Sequence, residues 1–451
     1  MYLANQKEPL LLFIGDVIVF LVSLWLALYI RYGGSPDRGL FADHFTPFLL
    51  LFLVWALVYY IAGLYNKHTS VLRSRLPQII LKGQLVNTSL AVLFFYLIPT
   101  FGITPKITLF VYLIISFALI MFWRLSIFPI FSARRKQKAI LLGSGAEMKE
   151  LRDEVDHNSR YSITFISSVD LESVAAVDFQ KEIVERVYAE DVSIIVADLK
   201  NDKVEPFLPR LYNLIFSKVR FIDMHKVYED IFDRVPLSLL KYSWFLENIS
   251  LSPRFTYDAL KRLMDIAFSF IAGIVSVFFY PFIMLAIKLD DGGPIFITQE
   301  RVGKNNRIIK IHKFRSMRKD DQGKYDRGGA GGNEVTKAGR FLRKSRIDEL
   351  PQLWNVFQGD LSLIGPRPEL PALVKVYESN VPYYNVRHLI KPGLSGWAQI
   401  YHDNHPHHAE AVLATKEKLS YDLYYIKNRS LLLDIKIALH TIRILLSRKG
   451  V

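Results

Sequence analysis

No cysteine occurs in the 451 residues. Disulfides, thiolate catalysis and cysteine-held zinc or iron–sulfur centres are therefore excluded. Acidic residues are also under-represented: 43 Asp and Glu stand against 57 Lys and Arg, for a net charge of +14. Such an excess attracts nucleic acid, anionic lipid head groups or phosphate-bearing substrates. Charge of either sign is scarce in long stretches of the first 130 residues, and again between 263 and 289. Stretches that poor in charge point to a bilayer. Lipid and phosphate therefore come ahead of nucleic acid, which is not an expected partner. Neither an internal repeat nor a low-complexity tract is present.

Apolar side chains make up 51% of the chain. A bilayer crossing takes about 20 such residues. Four segments meet that length: Pro9–Ile30, Phe45–Leu64, Ile79–Ile98 and Ile107–Ile130. No small-residue cleavage site follows the first, so a retained helix is expected there. Asp16 lies inside it and should face another helix in a structural role. Lys67, Arg73 and Arg75 follow the second span, and Arg134, Arg135, Lys136 and Lys138 follow the fourth. The loop after the third has only Lys106. The positive-inside rule then places both ends of the four-helix unit in the cytoplasm.

The fifth apolar stretch, 263–289, suits a span in length but not in its flanks. Arg254, Lys261 and Arg262 precede it; Arg301, Lys304, Arg307, Lys310, Lys313 and Arg315 follow. Both sides favour the cytoplasm. Pro281 removes a helical hydrogen bond in its second half. A re-entrant helix that dips in, turns near Pro281 and returns to the same face is expected, with a plain fifth span as the rival.

Between the two apolar regions the pattern changes. Ala139–Leu142, Val192–Ala197 and Val219–Ile222 read as buried strands, with a helix over Glu147–Val155. Strands alternating with helices predict a parallel sheet. Gly143-Ser144-Gly145 resembles the opening of a dinucleotide-binding turn, but Met148 stands where the third glycine belongs. A structural or regulatory Rossmann-like domain fits better than nucleotide binding. The expected domains are 1–132, four transmembrane helices; 133–255, the Rossmann-like cytosolic domain; and 256–451, a mainly α-helical domain carrying the re-entrant helix.

Most of the excess charge lies in 291–451, where 27 Lys and Arg face 16 Asp and Glu. Within it, Asp348-Glu349 follows the basic run Arg340, Arg343, Lys344, Arg346. On a helix, adjacent residues project about 100° apart, so the two carboxylates cannot share one role by stacking. One could attack phosphorus while the other holds a metal ion or a proton. From spacing alone, an exposed acidic helix start that offsets the local charge and the helix dipole is the better explanation of the pair.

Ordered blocks around the pair decide between these readings. They include Gly293-Pro294-Ile295-Phe296, Gln299-Glu300-Arg301-Val302-Gly303, Lys313-Phe314-Arg315-Ser316-Met317 and Asp348-Glu349-Leu350-Pro351-Gln352. Gly359-Asp360-Leu361-Ser362-Leu363-Ile364-Gly365-Pro366-Arg367-Pro368, Lys391-Pro392-Gly393, Gly396-Trp397-Ala398-Gln399 and Tyr421-Asp422-Leu423-Tyr424-Tyr425-Ile426 continue the series. From about 259 to 446 the chain resembles the catalytic domain of bacterial phosphoglycosyl transferases, the polyprenyl-phosphate hexose-1-phosphate transferases that begin glycan assembly. The segments before it resemble the large form of that family. The resemblance implies transfer of a hexose-1-phosphate from a UDP-sugar to undecaprenyl phosphate at the cytoplasmic face of the bacterial inner membrane, in exopolysaccharide, capsule or O-antigen synthesis. It implies Asp348 as the covalent nucleophile and Glu349 as the ligand of Mg2+. Lys313, Arg315, Arg367 and Arg387 are the implied substrate-binding residues. It also implies a re-entrant helix.

Two further features are left open by these motifs. Tyr401–His408 holds four histidines and reads as a loop, with a metal site or a part in substrate choice as alternatives. Leu431–Lys449 reads as an amphipathic helix, with Leu432, Ile435, Leu439, Ile442 and Leu446 on one stripe, suited to a membrane interface. The alternatives to an enzyme are an inactive membrane scaffold and a polytopic lipid transporter with a nucleotide-sensing domain. A transporter needs polar residues along several spans, and these spans have few. A homo-oligomer is compatible with the sequence, which does not fix it.

Overall fold

The computed structural model describes residues 7–65, 76–98, 106–128, 136–158, 161, 163–170, 180–199, 201–202, 204, 208–217, 219–249, 254–318, 335–401 and 412–446. The chain divides into two compact units, Met1–Ile231 and Phe232–Val451. Among the described residues five helices are long and apolar enough to cross a membrane: Pro9–Tyr32, Arg38–Ile61, Leu76–Leu97, Ile107–Ile127 and Phe255–Asp291.

The first four helices are α1 (Lys7–Tyr32), α2 (Arg38–Ile61), α3 (Leu76–Leu97) and α4 (Lys106–Phe122), the last running into a π-helical turn at Trp123–Ile127. α2 begins well before the expected Phe45. The Asp37 side chain accepts a hydrogen bond from the Leu40 backbone N–H at 2.7 Å and starts the helix there. Aromatic side chains fill the bundle: Phe20, Phe48, Phe52, Trp55, Tyr59 and Tyr112 are all buried. Gly15 lets α1 meet the fourth helix closely, because a Cβ there would overlap the Trp123 indole.

Asp16 does face another helix. Arg124, on the π turn, donates to it through Nη2 at 2.5 Å and Nε at 3.2 Å, and the Tyr65 hydroxyl donates at 2.8 Å. Arg124 also donates to the Leu64 carbonyl at 2.8 Å. Gln84, Asn87, Thr108 and Ser116 are buried in the bundle too, more polar side chains than a reading by hydropathy suggests. Gln84 donates to Ser116 at 3.0 Å. Removing one member of a buried ion pair costs about 3–5 kcal/mol, since the other is stranded. Asp16→Asn should therefore sharply reduce the yield and thermal midpoint of detergent-purified protein. The double change Asp16→Leu with Arg124→Met should recover much of the loss; a double variant no better than Asp16→Asn would remove the ion pair from this account.

The rest of the first unit contains a four-stranded parallel sheet in the order β2-β1-β3-β4. The strands are β1 (Gln137–Gly143), β2 (Ile163–Asp170), β3 (Ile194–Ala197) and β4 (Arg220–Asp223). Helix α5 (Ala146–His157) follows β1 and buries Met148, Leu151 and Val155. β1, β3 and β4 match the expected strands, whereas β2 is an addition to them. Its segment Ile163-Thr164-Phe165-Ile166-Ser167-Ser168-Val169-Asp170 mixes hydroxyl and apolar side chains, which weakens the apolar run that marks a buried parallel strand. Met148 is buried, so it serves packing where a glycine would have opened the turn.

The second unit opens with Val235, Leu240 and Trp244, which lie in its core with Tyr377, Tyr384, Trp397 and Tyr425. These residues precede position 256 in sequence yet pack with the C-terminal unit. The long helix α6 runs Phe255–Asp291. It is longer than the expected 263–289 and passes through Pro281 without a break. One lost hydrogen bond does not interrupt a run of 37 residues. Next come an antiparallel pair, β5 (Phe296–Val302) with β6 (Ile308–Phe314), then α7 (Lys337–Ser345) and α8 (Gln352–Gln358). A short parallel pair joins β7 (Ser362–Ile364) to β8 (Gly393–Ser395), with α9 (Pro371–Asn380) between them in sequence. Helices α10 (Val412–Asn428) and α11 (Leu431–Leu446) close the unit. The histidine segment 402–408 lies outside the described residues, as do 447–451.

Both ends of α6 are tied to this unit. Near its start, Arg262 donates to the carbonyls of Val356 and Phe357, both at 2.7 Å, at the end of α8. Asp265 accepts from Leu363 N at 2.9 Å and Ser362 Oγ at 3.1 Å. Near its finish, Ile283 and Ile287 pack on Phe314 and Leu342, and Asp290 accepts from Ala338 N at 2.7 Å. Between these anchors Phe268, Phe270, Ile271, Ile274, Val275 and Phe278 are exposed.

Candidate active site

The adjacent carboxylates lie on a 3-10 turn, Ile347–Glu349, between α7 and α8. This replaces the expected helix start and separates the two side chains by about 120°. Arg346 makes the turn possible by taking φ +54°, a left-handed conformation uncommon for a side chain of its size. Thr336 caps α7, accepting from Gly339 N at 2.9 Å. A Cβ on Gly339 would run into the Ser316 backbone, so only glycine lets α7 approach the strand that carries Lys313. Asn355 ties the other side. It donates to the Lys310 carbonyl at 2.8 Å and accepts from His312 N at 3.1 Å, fixing α8 against β6.

These supports bring Lys313, Arg367 and the carboxylates together. Arg367 Nη2 donates to Glu349 Oε1 at 2.7 Å, and Lys313 Nζ lies 3.7 Å from the same oxygen. Burial alone would raise the Glu349 carboxyl, but Arg367 and then Lys313 outweigh it and hold it at about 2. Asp348 goes the opposite way. Burial pushes it up to about 6 and the Glu349 charge adds to the effect, against Lys313, Arg343 and Arg367. Burial also lowers the Lys313 ammonium to about 8, with Arg367 and Arg301 assisting and Glu349 resisting. Among the described residues none donates a hydrogen bond to Asp348. One carboxylate is thus held ionised and fixed, while its neighbour is left unbonded and titrates near neutrality. Such a split is how two like groups come to hold different roles.

Two other expected residues lie elsewhere. Arg315 is buried and paired with Asp291 at the end of α6. Arg387 is 2% exposed and sits behind the Arg367 turn. It donates to the Arg367 carbonyl at 2.9 Å and to Tyr384 Oη at 2.5 Å, and forms an ion pair with Asp422 at 2.9 Å. Glu369 joins this group through Lys418 and lies 3.9 Å from Arg387. Burial would raise the Glu369 carboxyl, but Lys418 and Arg387 hold it at about 2. Sequence reasoning does not single out Glu369, Lys418 or Asp422. Asp422 stands inside one of the ordered motifs and Glu369 directly follows the Pro-Arg-Pro turn, so position is the available signal.

Among the described residues no group of three or more His, Asp or Glu converges as a metal site. Both contacts of Glu349 run to Oε1. Oε2 and the Asp348 carboxylate are the oxygens that face no cation at contact distance among the described residues. Magnesium is commonly held by one or two carboxylates, completed by water and substrate phosphate. The residues present fit that kind of site and no all-protein cage.

A paired acidic turn under two cations suits chemistry on a phosphorylated substrate. Residues 256–448 match the family model described as bacterial sugar transferase. A UDP-N-acetylgalactosamine-undecaprenyl-phosphate N-acetylgalactosaminephosphotransferase of Aeromonas hydrophila is 38% identical over 265 residues, 57% of this chain. The chain spans 59% of that relative's length. The exopolysaccharide production protein PSS of Rhizobium leguminosarum bv. phaseoli is 39% identical over 188 residues, 41% of this chain and 93% of the relative. A UDP-glucose:undecaprenyl-phosphate glucose-1-phosphate transferase of Caulobacter vibrioides is 37% identical over 199 residues, 43% of this chain and 73% of the relative. The matched residues contain the whole carboxylate–cation cluster, and one relative is covered almost from end to end: this chain belongs to the bacterial sugar transferase family.

Proposed function

We propose that this protein transfers a hexose-1-phosphate from a UDP-sugar to undecaprenyl phosphate through a covalent intermediate on Asp348. The observation that carries the reading is the unequal pair: an unbonded Asp348 beside a Glu349 locked by Arg367 and Lys313. In the first step an Asp348 oxygen attacks the β-phosphorus. The bond from that phosphorus to the bridging oxygen breaks, and uridine monophosphate leaves with the electron pair. In the second step an oxygen of the lipid phosphate attacks the acyl-phosphate phosphorus. The carboxylate is released and a lipid diphosphate sugar forms. Arg367 and Lys313 offset charge on the diphosphate and on the departing monophosphate. Glu349 would hold Mg2+, which when bound supplies further neutralisation of the diphosphate. Arg387 acts from behind by holding the Arg367 turn in place.

The site belongs at the cytoplasmic face of the inner membrane. Residues 266–279 of α6 span about 21 Å at 1.5 Å per residue, less than the roughly 30 Å of hydrocarbon core. Both flanks of that segment pack on the same unit. This supports a helix that rests against one face of the membrane instead of crossing it; the turn expected near Pro281 is not part of this reading, because α6 is continuous there. On α11, Asp434, Ile437 and His440 are buried while Leu432, Ile435, Ile442 and Leu445 are exposed. An apolar row turned outward fits an interfacial helix. The Rossmann-like sheet is read as a structural or regulatory domain.

Testing needs purified protein in lipid, a panel of nucleotide sugars and polyprenyl phosphate, with nucleoside monophosphate release as the readout. Wild-type protein with no turnover on any donor would favour an inactive scaffold. The pH profile gives a sharper check. Asp348 must be ionised to attack, so kcat/KM should fall below about pH 6, and Lys313 must keep its proton, so it should fall again above about pH 8. Glu349 raises Asp348 by its charge, so Glu349→Gln should move the acid limb to lower pH while reducing the rate. An acid limb that stays in place would remove the coupling between the two carboxylates.

A further inference from the structure

The early part of α6 brings cations and exposed rings together, away from the carboxylates. Arg262 and Lys391 come from distant segments and meet beside Gly359, at the end of α8. A Cβ on that glycine would lie 3.3 Å from Arg262 Nη2 and 3.4 Å from Lys391 Nζ. Its φ of +98° also favours glycine there. We propose that Arg262 and Lys391, with Lys304 nearby, bind the phosphodiester of an anionic phospholipid. The proposal rests on the reading of α6 as a helix at the membrane face and takes nothing from the transfer chemistry.

Arg262 is held by neutral groups. It donates to the carbonyls of Val356 and Phe357, both at 2.7 Å, in the last turn of α8. Such bonds fix a cation at a helix end without cancelling its charge. A guanidinium carries further N–H groups that suit a phosphate. Lys391 reaches the surface. Partial burial, then the Arg262 charge, lowers its ammonium below the ordinary value; Lys304 adds to this, while Asp265 and Asp360 oppose it. Asp265 is already committed to Ser362 Oγ and Leu363 N. Cations held this close repel one another, and an anion bound beside both relieves the repulsion.

The surroundings select a lipid among phosphate-bearing ligands. Phe357, whose carbonyl accepts one of the Arg262 bonds, places its ring 6.2 Å from Phe270 on α6. On its other side the ring stacks on Trp354, at 5.7 Å and 20°. Trp354 is 56% exposed, and Leu263, Ile266 and Phe270 are exposed as well. Aromatic rings on an apolar face with cations beside them mark the level where acyl chains end and phosphates begin. A soluble phosphate would meet the cations and leave the rings in water; a phospholipid covers both. The site is also distinct from that of the acceptor phosphate, which must reach Asp348. Gly359 and the carboxylate turn stand at opposite ends of α8, whose 7 residues span about 10 Å.

The test uses full-length protein in detergent with short-chain lipids, and reads binding as a rise in thermal midpoint. Phosphatidylglycerol should bind wild type roughly tenfold more tightly than phosphatidylcholine, whose choline offsets the phosphate charge. Lys391→Glu should abolish that preference and Lys304→Glu should reduce it. A cooperative melt without added lipid shows whether each variant is folded. Equal binding of the two lipids by wild type, or an undiminished preference in folded Lys391→Glu, would overturn the site. Inorganic phosphate that binds as tightly as phosphatidylglycerol would overturn the lipid as its occupant. The position of α6 is read separately in vesicles whose acyl chains carry bromine. These should quench Trp354, seen as the difference in quenching between wild type and Trp354→Phe. Quenching of that ring without any lipid preference would sink the head-group site and leave α6 at the membrane. Absence of quenching would sink both.

Discussion

Asp348→Asn should lower the transfer rate by a factor on the order of 10⁴ or more, the scale seen when a covalent nucleophile is removed. The substitution is nearly isosteric, so the turn on Arg346 and the Glu349–Arg367 bond should persist. What is lost is the anionic oxygen that attacks. Two readouts separate this from general damage. Wild type mixed with donor alone should release one equivalent of nucleoside monophosphate and gain the mass of a hexose phosphate. Asp348→Asn should do neither, while UMP still raises its thermal midpoint. A donor-only burst from Asp348→Asn would place the covalent bond on another residue, and a variant that keeps a tenth of the wild-type rate without such a burst would show that the lipid phosphate attacks the donor directly.

Arg367→Ala is the second large effect. Arg367 makes the 2.7 Å bond to Glu349, and its charge is the foremost influence holding that carboxyl down. Without it the cation left at contact distance from Glu349 is Lys313, at 3.7 Å, with Arg346 acting from farther away. Truncating one partner of a buried, hydrogen-bonded charge pair costs about 2–5 kcal/mol. We expect kcat/KM to fall roughly 10²- to 10³-fold. The pH profile carries the sign. Arg367 lowers both carboxyls, so its loss should raise both and move the acid limb upward, opposite to Glu349→Gln. Arg367→Lys should restore part of the limb position through its charge, and less of the rate, because an ammonium lacks the planar fork. An acid limb unchanged in Arg367→Ala would detach this arginine from the pair.

Several elements are legible in the residue pattern. The apolar runs locate the membrane helices because bilayer thickness sets a length that hydropathy can measure. Three of four strands in the parallel sheet are visible as short apolar runs. β2 is not, since its hydroxyl-bearing residues break such a run. Hydropathy starts α2 too late because Asp43 and His44 suggest a loop, whereas Asp37 caps the helix upstream. At the site, the motifs point to Asp348, Glu349, Lys313 and Arg367, and these four do come together. The same motifs point to Arg315 and Arg387, but each is paired to an internal carboxylate. Motif membership does not distinguish a cation that faces substrate from one that braces the fold.

The sequence by itself settled composition-level facts: no thiol chemistry, a membrane-bound first third, and a basic C-terminal region with two adjacent carboxylates. These depend on residue type and local spacing, which are one-dimensional. Only the tertiary structure decided that the carboxylates sit on a 3-10 turn, that Glu349 is clamped through one oxygen, and that Asp348 is left to titrate near 6. It also decided which arginine faces the pair. Arg367 and Arg387 are equally charged and both lie in or beside motifs, but one reaches Glu349 and the other is held by Asp422. Burial and charge proximity depend on segments far apart in the chain, β6, the Arg346 turn and the Pro-Arg-Pro loop, and no local pattern specifies how those meet.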